Sequence, residues 1–166
     1  MVLGMSLHSF TVLHVVISIV ELLAGAVVVL KMIGGRRSRL NGLFLLTGAL
    51  TTLTGFLFPS HGPTPATTLG FITLPFLLLA AVSWYTGRLR GAWRVLYVLS
   101  ALLVLYFDAF VAVAQLFLKV PALHALAPEG KEPPFLVVQG LLLLVFIVLA
   151  YMALKRFRPA LIEARA

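Results

Sequence analysis

Cysteine is absent from the 166-residue chain, which excludes disulfides, thiolate metal sites and thiol redox chemistry. Charged residues are also scarce, at 11% of the chain against about 25% in a typical soluble protein. The catalytic motifs GxSxG and HExxH and the P-loop do not occur. Hydrophobic residues make up 61% of the chain, and its mean hydropathy is +1.10. We therefore expect a membrane protein rather than a soluble domain.

Five apolar segments reach or approach the length of a membrane-spanning helix. A helix that rises about 1.5 Å per residue needs roughly 20 residues to cross a hydrocarbon core of about 30 Å. The segments are 8–30, 43–58, 65–85, 95–118 and 135–154. The second is the shortest and the richest in threonine and glycine. The pattern predicts an all-α polytopic membrane protein, a five-helix transmembrane bundle that forms one domain over residues 1–166.

The basic residues predict the orientation of this bundle. With five crossings, eleven of the thirteen lysines and arginines fall on one side, namely Lys31, Arg36, Arg37, Arg39, Arg88, Arg90, Arg94, Lys155, Arg156, Arg158 and Arg165. The positive-inside rule makes this side cytoplasmic, so the N-terminus is expected outside and the C-terminus in the cytoplasm. Four aromatic residues lie near the same ends of spans three and four, as in an interfacial belt, namely Trp84, Tyr85, Trp93 and Tyr97. Topology and anionic lipid account for the net charge of +8, so the expected partner is the lipid bilayer and not nucleic acid.

Two prolines carry predictions about the third span. Thr64 followed by Pro65 is typical of a helix N-cap with proline at the first helical position. Pro75 lies inside the span and predicts a kink with a freed carbonyl group.

Polar residues share one face in three of the spans. In span one the spacing is three, four, three and four, which places on one side of a helix Thr11, His14, Ser18, Glu21 and Gly25. In span four the spacing is four, three and four over Asp108, Ala112, Gln115 and Lys119. Span two has a face of threonine and glycine, which we interpret as helix packing, formed by Thr47, Gly48, Thr51, Thr54 and Gly55. Such faces should contact protein or a cavity rather than lipid.

Glu21 and Asp108 are the only acids inside the predicted spans, and no lysine or arginine lies at their depth. Glu21 comes thirteen residues after His8, and Asp108 comes thirteen residues after Val95, where the two segments begin. Because spans one and four run in opposite directions, both acids are expected near the midplane, where they could meet. A charged residue at that depth costs about 2.5–3.5 kcal/mol on insertion scales. From both acids the polar faces run outward, whereas toward the cytoplasm they become apolar or small. We therefore predict an outward-open polar cavity between spans one, two and four that ends at these carboxyls and is lined by Ser18, His14, Thr51 and Gln115. Helix packing through polar and small residues is the alternative.

The four histidines fall on the external side of this topology, namely His8, His14, His61 and His124. Imidazole suits zinc, copper and haem iron, but the spacing supports no such site, because His8 and His14 are six residues apart and lie on different helix faces. We therefore predict no metal and no cofactor. His61 and His124 are retained as binding candidates in the external loops.

Two external segments carry a resemblance to known sequences. They are GFLFPSHGPTPA at 55–66 and QLFLKVPALHALAP at 115–128, the latter followed by EPPF at 132–135. The chain resembles, over most of its length, a group of small bacterial multi-pass membrane proteins to which no activity is assigned. The resemblance implies a location in the bacterial inner membrane. It implies no substrate or cofactor.

Three functional hypotheses follow from the sequence. The first is a membrane binding or transport protein for a small solute, ion or proton, which is held near Glu21 and Asp108. The second is an accessory or structural subunit of a larger membrane complex, and the third is a redox subunit with haem or quinone. A homo-oligomer or a membrane-protein partner is compatible with each of them. An intramembrane enzyme with a carboxylate base also stays open, although no catalytic motif supports it.

Overall fold

The computed structural model describes residues 2–59, 62 and 64–158. These residues form six α-helices and no β-strand, so the all-α prediction is confirmed. The helices are α1 (Leu7–Ile33), α2 (Asn41–Phe56), α3 (Pro65–Tyr85), α4 (Ala92–Lys119), α5 (Pro121–His124) and α6 (Pro133–Arg156).

Four of these helices, α1, α3, α4 and α6, are long and apolar enough to cross a membrane. The shortest of the four has 21 residues, which corresponds to about 31 Å at the usual helical rise. Their lengths support a membrane-embedded protein. Helix α2 occupies most of the second predicted span, but its 16 residues extend only about 24 Å. The crossing by α2, and with it the five-crossing arrangement, stays a prediction.

Side-chain caps and prolines determine where several helices begin. Ser6 caps α1, because its Oγ accepts a hydrogen bond from the backbone N–H of Ser9 at 3.1 Å. Thr64 and Thr67 form a reciprocal capping box at the start of α3, and Pro65 occupies the first turn, as the sequence predicted. These contacts satisfy N–H groups that have no partner within the helix. Helix α3 continues through Pro75.

The helices α1, α2, α3 and α4 pack in a ring in which each contacts the next and α4 closes against α1. Helix α6 lies outside this ring, against α4 and α1, and α5 packs on α4. Only Gln139 and Ala153 are buried on α6. The other residues of this apolar helix are half-buried or exposed.

The two ends of the bundle are packed differently. We call the end that carries Arg37, Arg88, Arg94 and Lys155 the basic end, and the end where α1 begins and α4 finishes the opposite end. The buried apolar cluster lies toward the basic end and includes Val28, Met32, Phe44, Leu77, Tyr97, Val98, Ala101, Leu105 and Phe157. Toward the opposite end, every residue of α4 over 106–114 is only half-buried. The apolar cluster thus lies on one side of the acidic residues, whereas Phe10, Phe117 and Ala127 are buried near the opposite end, outside this cluster.

Arg94 on α4 forms hydrogen bonds with the C-terminal end of α6 at the basic end of the bundle. Its Nη1 donates to the carbonyl oxygens of Leu154 and Phe157, each at 2.8 Å. A cation at the C-terminal end of a helix also complements the negative end of the helix dipole. Arg94 thereby positions a helix that buries few side chains of its own.

Candidate carboxylate site

Glu21 lies inside the ring, midway along α1. The residue is 2% exposed, and its Oε2 atom makes no hydrogen bond with any described residue. A buried polar atom without a partner is rare in proteins, because its desolvation is not compensated. The position of this side chain therefore requires an explanation from its surroundings.

The space for the Glu21 carboxyl group exists because residue 48 on α2 is glycine. A Cβ atom at Gly48 would lie 3.0 Å from Glu21 Oε1 and 3.2 Å from Leu77 Cδ1. Both distances are shorter than ordinary van der Waals contact between such atoms. We interpreted the threonine and glycine face of span two as helix packing, and the structure shows that Gly48 also makes room for the acid.

Asp108 on α4 lies within Coulombic range of Glu21. Its Oδ2 atom is buried and, like Glu21 Oε2, has no hydrogen-bond partner among the described residues. The Thr51 hydroxyl on α2 interacts with Glu21, but it does not reach full hydrogen-bond geometry with any described partner. Three helices of the ring thus contribute an unpartnered buried oxygen each to one region, the carboxylate site, formed by Glu21, Thr51 and Asp108.

No lysine or arginine among the described residues forms an ion pair with Glu21 or Asp108. Among the described residues the recorded ion pair joins Lys131 and Glu129, at 3.6 Å in an exposed loop. Two negative charges close together in a medium of low dielectric constant repel each other strongly. A proton or a small cation bound between the two carboxyl groups relieves this repulsion.

Apolar side chains close the carboxylate site toward the basic end. Gly25 lies one turn from Glu21 in that direction, and a Cβ atom there would lie 2.5 Å from Leu105 Cδ1 and 2.9 Å from Phe44 Cε2. Ala101 is also buried in this layer. Gly25, Ala101 and Leu105 are the small and apolar residues that continue the polar faces of α1 and α4 in this direction. We call Gly25, Phe44 and Leu105 the apolar floor.

His14 forms a separate cluster toward the opposite end. Its Nδ1 lies 2.7 Å from Thr54 Oγ1, and the Thr54 hydroxyl donates to the Leu50 carbonyl oxygen at 2.6 Å. Since a hydroxyl group has one proton to donate, we assign the proton of the first bond to His14 Nδ1. The ring also packs edge-on against Phe58, and the ammonium group of Lys119 lies within Coulombic range.

The other predicted site residues that the structure describes lie on α1, α4 and α5. Ser18 is half-buried on α1, one helical turn from both His14 and Glu21. Gln115 is exposed on α4 and forms no hydrogen bond with a described residue, so it does not join the carboxylates. His124 is exposed at the end of α5. His61 lies outside the described residues.

Two polar contacts between helices were missed in the sequence. Gln139 on α6 donates from Nε2 to the Phe110 carbonyl oxygen at 3.1 Å, and its own Oε1 is buried without a described partner. Near the basic end, the Tyr97 hydroxyl donates to Asn41 Oδ1, and both residues are buried. A single amide in an otherwise apolar span is a usable signal for such contacts.

Two surface crevices lie at the basic end. One has a volume of about 400 Å³ and is lined by Val27, Leu30, Lys31, Gly34 and Arg36. The other has a volume of about 330 Å³ and is lined by Arg37, Trp84, Arg88 and Arg90. Neither includes Glu21 or Asp108. The described residues also include no group of three or more His, Asp or Glu side chains arranged to hold a metal ion.

Comparison with known proteins does not assign a family. No family model, curated protein or solved structure matches the chain. A function must therefore be inferred from the side chains themselves, and above all from the three unpartnered oxygens of the carboxylate site.

Proposed function

We propose that this protein is an integral membrane protein that binds a proton or a small monovalent cation at Glu21 and Asp108, as part of a transport or binding function. The observation that carries the proposal is the convergence of three buried oxygens without described partners, from Glu21, Thr51 and Asp108. Acidic side chains held within a membrane bundle without basic partners commonly mark ion or proton pathways. The tight fit of Glu21 against Gly48 favours a small ion over a larger solute.

The topology we propose has five crossings, with the basic end in the cytoplasm. It includes α2 as a short crossing and locates the protein in the bacterial inner membrane, in agreement with the resemblance of its external segments. The positive-inside rule supports this orientation, because eleven of the thirteen lysines and arginines belong to the basic end or to the C-terminal segment that follows it. The opposite end is then periplasmic.

Access in this proposal is from the periplasm. Residues 109–114 of α4, which are half-buried, and the pair of His14 and Thr54 lie between the carboxylate site and the opposite end. Polar and loosely packed residues admit water more readily than a close-packed apolar layer does. The apolar floor separates the same site from the cytoplasm.

Purified protein in liposomes tests the proposal. Uptake of protons, sodium and potassium would be measured for the parent, for Glu21→Gln and for Asp108→Asn. The matched control is Glu129→Gln, which removes one carboxylate from an exposed loop. We expect at least about tenfold less flux in either site variant, equivalent to about 1.4 kcal/mol of lost interaction, and parental flux in the control. Equal flux in all four proteins would contradict the proposal.

A subunit that binds the ion without moving it across the membrane is the second candidate. The close packing of Gly25, Phe44 and Leu105 favours it, because this packing interrupts the polar face. Infrared difference spectroscopy of the carboxyl groups would distinguish the two functions. Binding without transport is supported if the ion changes the carboxyl absorption of the parent but not that of Glu21→Gln, and if the parent shows no ion flux. The absence of both signals in the parent contradicts both candidates.

A further inference from the structure

A second site is suggested by the crevice of about 330 Å³ at the basic end, lined by Arg37, Trp84, Arg88 and Arg90. These residues come from three parts of the chain, namely the connection between α1 and α2, the last turn of α3, and the turn between α3 and α4. Folding therefore concentrates three guanidinium groups and an indole ring around one surface depression. We call it the arginine crevice.

The turn between α3 and α4 positions two of the arginines. Leu89 is buried, and its backbone N–H donates to the Ser83 carbonyl oxygen at 3.2 Å. Arg88 and Leu89 both have left-handed backbone conformations, with φ of 47° and 58°, which are unfavourable for residues other than glycine. With Leu89 anchored inward, its neighbours Arg88 and Arg90 remain exposed at the rim of the crevice.

Arg37 is held in place by contacts with two of the other lining residues. Its Cζ atom lies 5.8 Å from the centre of a Trp84 ring, a distance typical of a cation–π contact. Its Nη2 donates to the Arg88 carbonyl oxygen at 3.4 Å. These contacts join the connection between α1 and α2 to the turn between α3 and α4. They hold the third positive charge of the crevice, that of Arg37, in place.

The charge of the arginine crevice indicates the chemistry of its ligand. None of its described lining residues is acidic, and the side chains of Arg88 and Arg90 form no hydrogen bond or ion pair with the described residues. Guanidinium groups match the geometry of phosphate oxygens and donate paired hydrogen bonds to them. A phosphate group would also reduce the repulsion among the like charges.

We propose that the arginine crevice binds the phosphate of an anionic phospholipid head group. The neighbouring aromatic residues favour a lipid over soluble phosphate. Tyr85 and Trp93 flank the same turn and are exposed, and exposed tyrosine and tryptophan residues at helix ends mark the level of lipid head groups. This inference uses residues remote from the carboxylate site and does not depend on the proposed ion binding.

Native mass spectrometry of the full-length protein released from nanodiscs tests the proposal. The nanodiscs would contain equal amounts of phosphatidylglycerol and phosphatidylcholine, and retained lipids would be counted for the parent and for the double variant Arg88→Gln, Arg90→Gln. The matched control is Arg156→Gln, Arg158→Gln, which removes two charges near the same end but outside the crevice. Circular dichroism would establish that each protein is folded. If the double variant does not fold, Arg88→Gln and Arg90→Gln are measured singly.

We expect the parent and the control to retain phosphatidylglycerol in preference to phosphatidylcholine. The double variant should retain about tenfold less phosphatidylglycerol, because a lost charge-assisted hydrogen bond changes affinity by about that factor. Equal losses in the double variant and the control would overturn the proposal, since general surface charge would then explain the binding. Inorganic phosphate in nanodiscs of phosphatidylcholine alone is a further arm. In this arm inorganic phosphate could stabilise the parent against heat but not the double variant. If the parent also shows no preference for phosphatidylglycerol, the crevice binds soluble phosphate and the lipid proposal is overturned.

Discussion

Glu21 and Gly48 face each other across the contact between α1 and α2, and a Cβ atom at residue 48 would lie 3.0 Å from Glu21 Oε1. The glycine therefore allows an acidic side chain to enter the interior of the ring without forcing the two helices apart. Glycine at helix contacts in membranes usually permits close approach of backbones. Here the space accommodates a carboxyl group.

Gly48→Val should displace Glu21 and destabilise the protein. The larger side chain would overlap with Glu21 Oε1 and Leu77 Cδ1, and overpacking of this kind typically costs about 1–3 kcal/mol. Gly140→Val on α6 is the matched control, because a Cβ atom there meets nothing within 4 Å. Thermal unfolding in detergent would measure both effects. Equal stability of the two variants would show that Gly48 is not a tight contact.

Gly25→Ala should disrupt the apolar floor, and Leu105→Ala should partly reverse the effect. The added Cβ atom would lie 2.5 Å from Leu105 Cδ1, so we expect a loss of about 1–3 kcal/mol in the free energy of unfolding. Truncation of Leu105 removes its part of the overlap and leaves that with Phe44 Cε2 at 2.9 Å, so the double variant should be more stable than the sum of the single effects predicts. A double-mutant cycle of unfolding free energies measures this coupling. Strictly additive effects would place the two residues out of contact.

Thr54→Val should weaken the packing of His14. The substitution keeps the shape of the side chain and removes the acceptor of the 2.7 Å hydrogen bond, which leaves the His14 Nδ1 proton without this partner. We expect a loss of about 1 kcal/mol in stability and an altered nitrogen-15 shift of the His14 ring. Thr68→Val is the control, because the Thr68 hydroxyl donates within its own helix to the Thr64 carbonyl oxygen. An unchanged His14 spectrum in Thr54→Val would contradict the assignment.

The Glu132 carboxylate should make the loop before α6 sensitive to acid. The backbone N–H groups of Glu129 and Lys131 donate to it at 3.0 and 2.9 Å, and these bonds, led by that from Glu129, hold the pKa of Glu132 below its ordinary value of 4.5. A carboxyl group whose pKa is lower in the folded state than in the unfolded state stabilises the fold when the pH is above the unfolded-state pKa. This stabilisation is lost as the pH falls through the folded-state pKa. Amide exchange at Glu129 and Lys131 should therefore be slower in the parent than in Glu132→Gln near neutral pH.

The difference between these two proteins should disappear as the pH falls through the lowered pKa of Glu132, because the parent carboxyl group then becomes protonated and stops accepting these bonds as a carboxylate. Comparison with Glu132→Gln isolates this group from the other acids, which are identical in both proteins. A difference that persists unchanged into strong acid would show that the carboxylate is not responsible.

The sequence predicts that Glu21 and Asp108 lie at a similar depth, because this prediction requires only counting residues along two apolar segments. Their approach to each other depends on helix order, and the structure brings them within Coulombic range. Gln115 shows the limit of the same reasoning. It shares a helix face with Asp108 by spacing, yet it is exposed, whereas Phe117, two residues farther along α4, is buried. Side-chain spacing along one helix does not say where a neighbouring helix ends or diverges.

The sequence by itself determined the helical, membrane-embedded class, because apolar composition and helical rise are properties of single segments. It also determined which residues share a face, since that follows from 3.6 residues per turn. Only the tertiary structure decided that Gly48 would receive Glu21, that α6 would lie outside the ring, and that Arg37, Arg88 and Arg90 would line one crevice. These features depend on the complementary shapes of residues far apart in the chain, and no local pattern encodes such a fit.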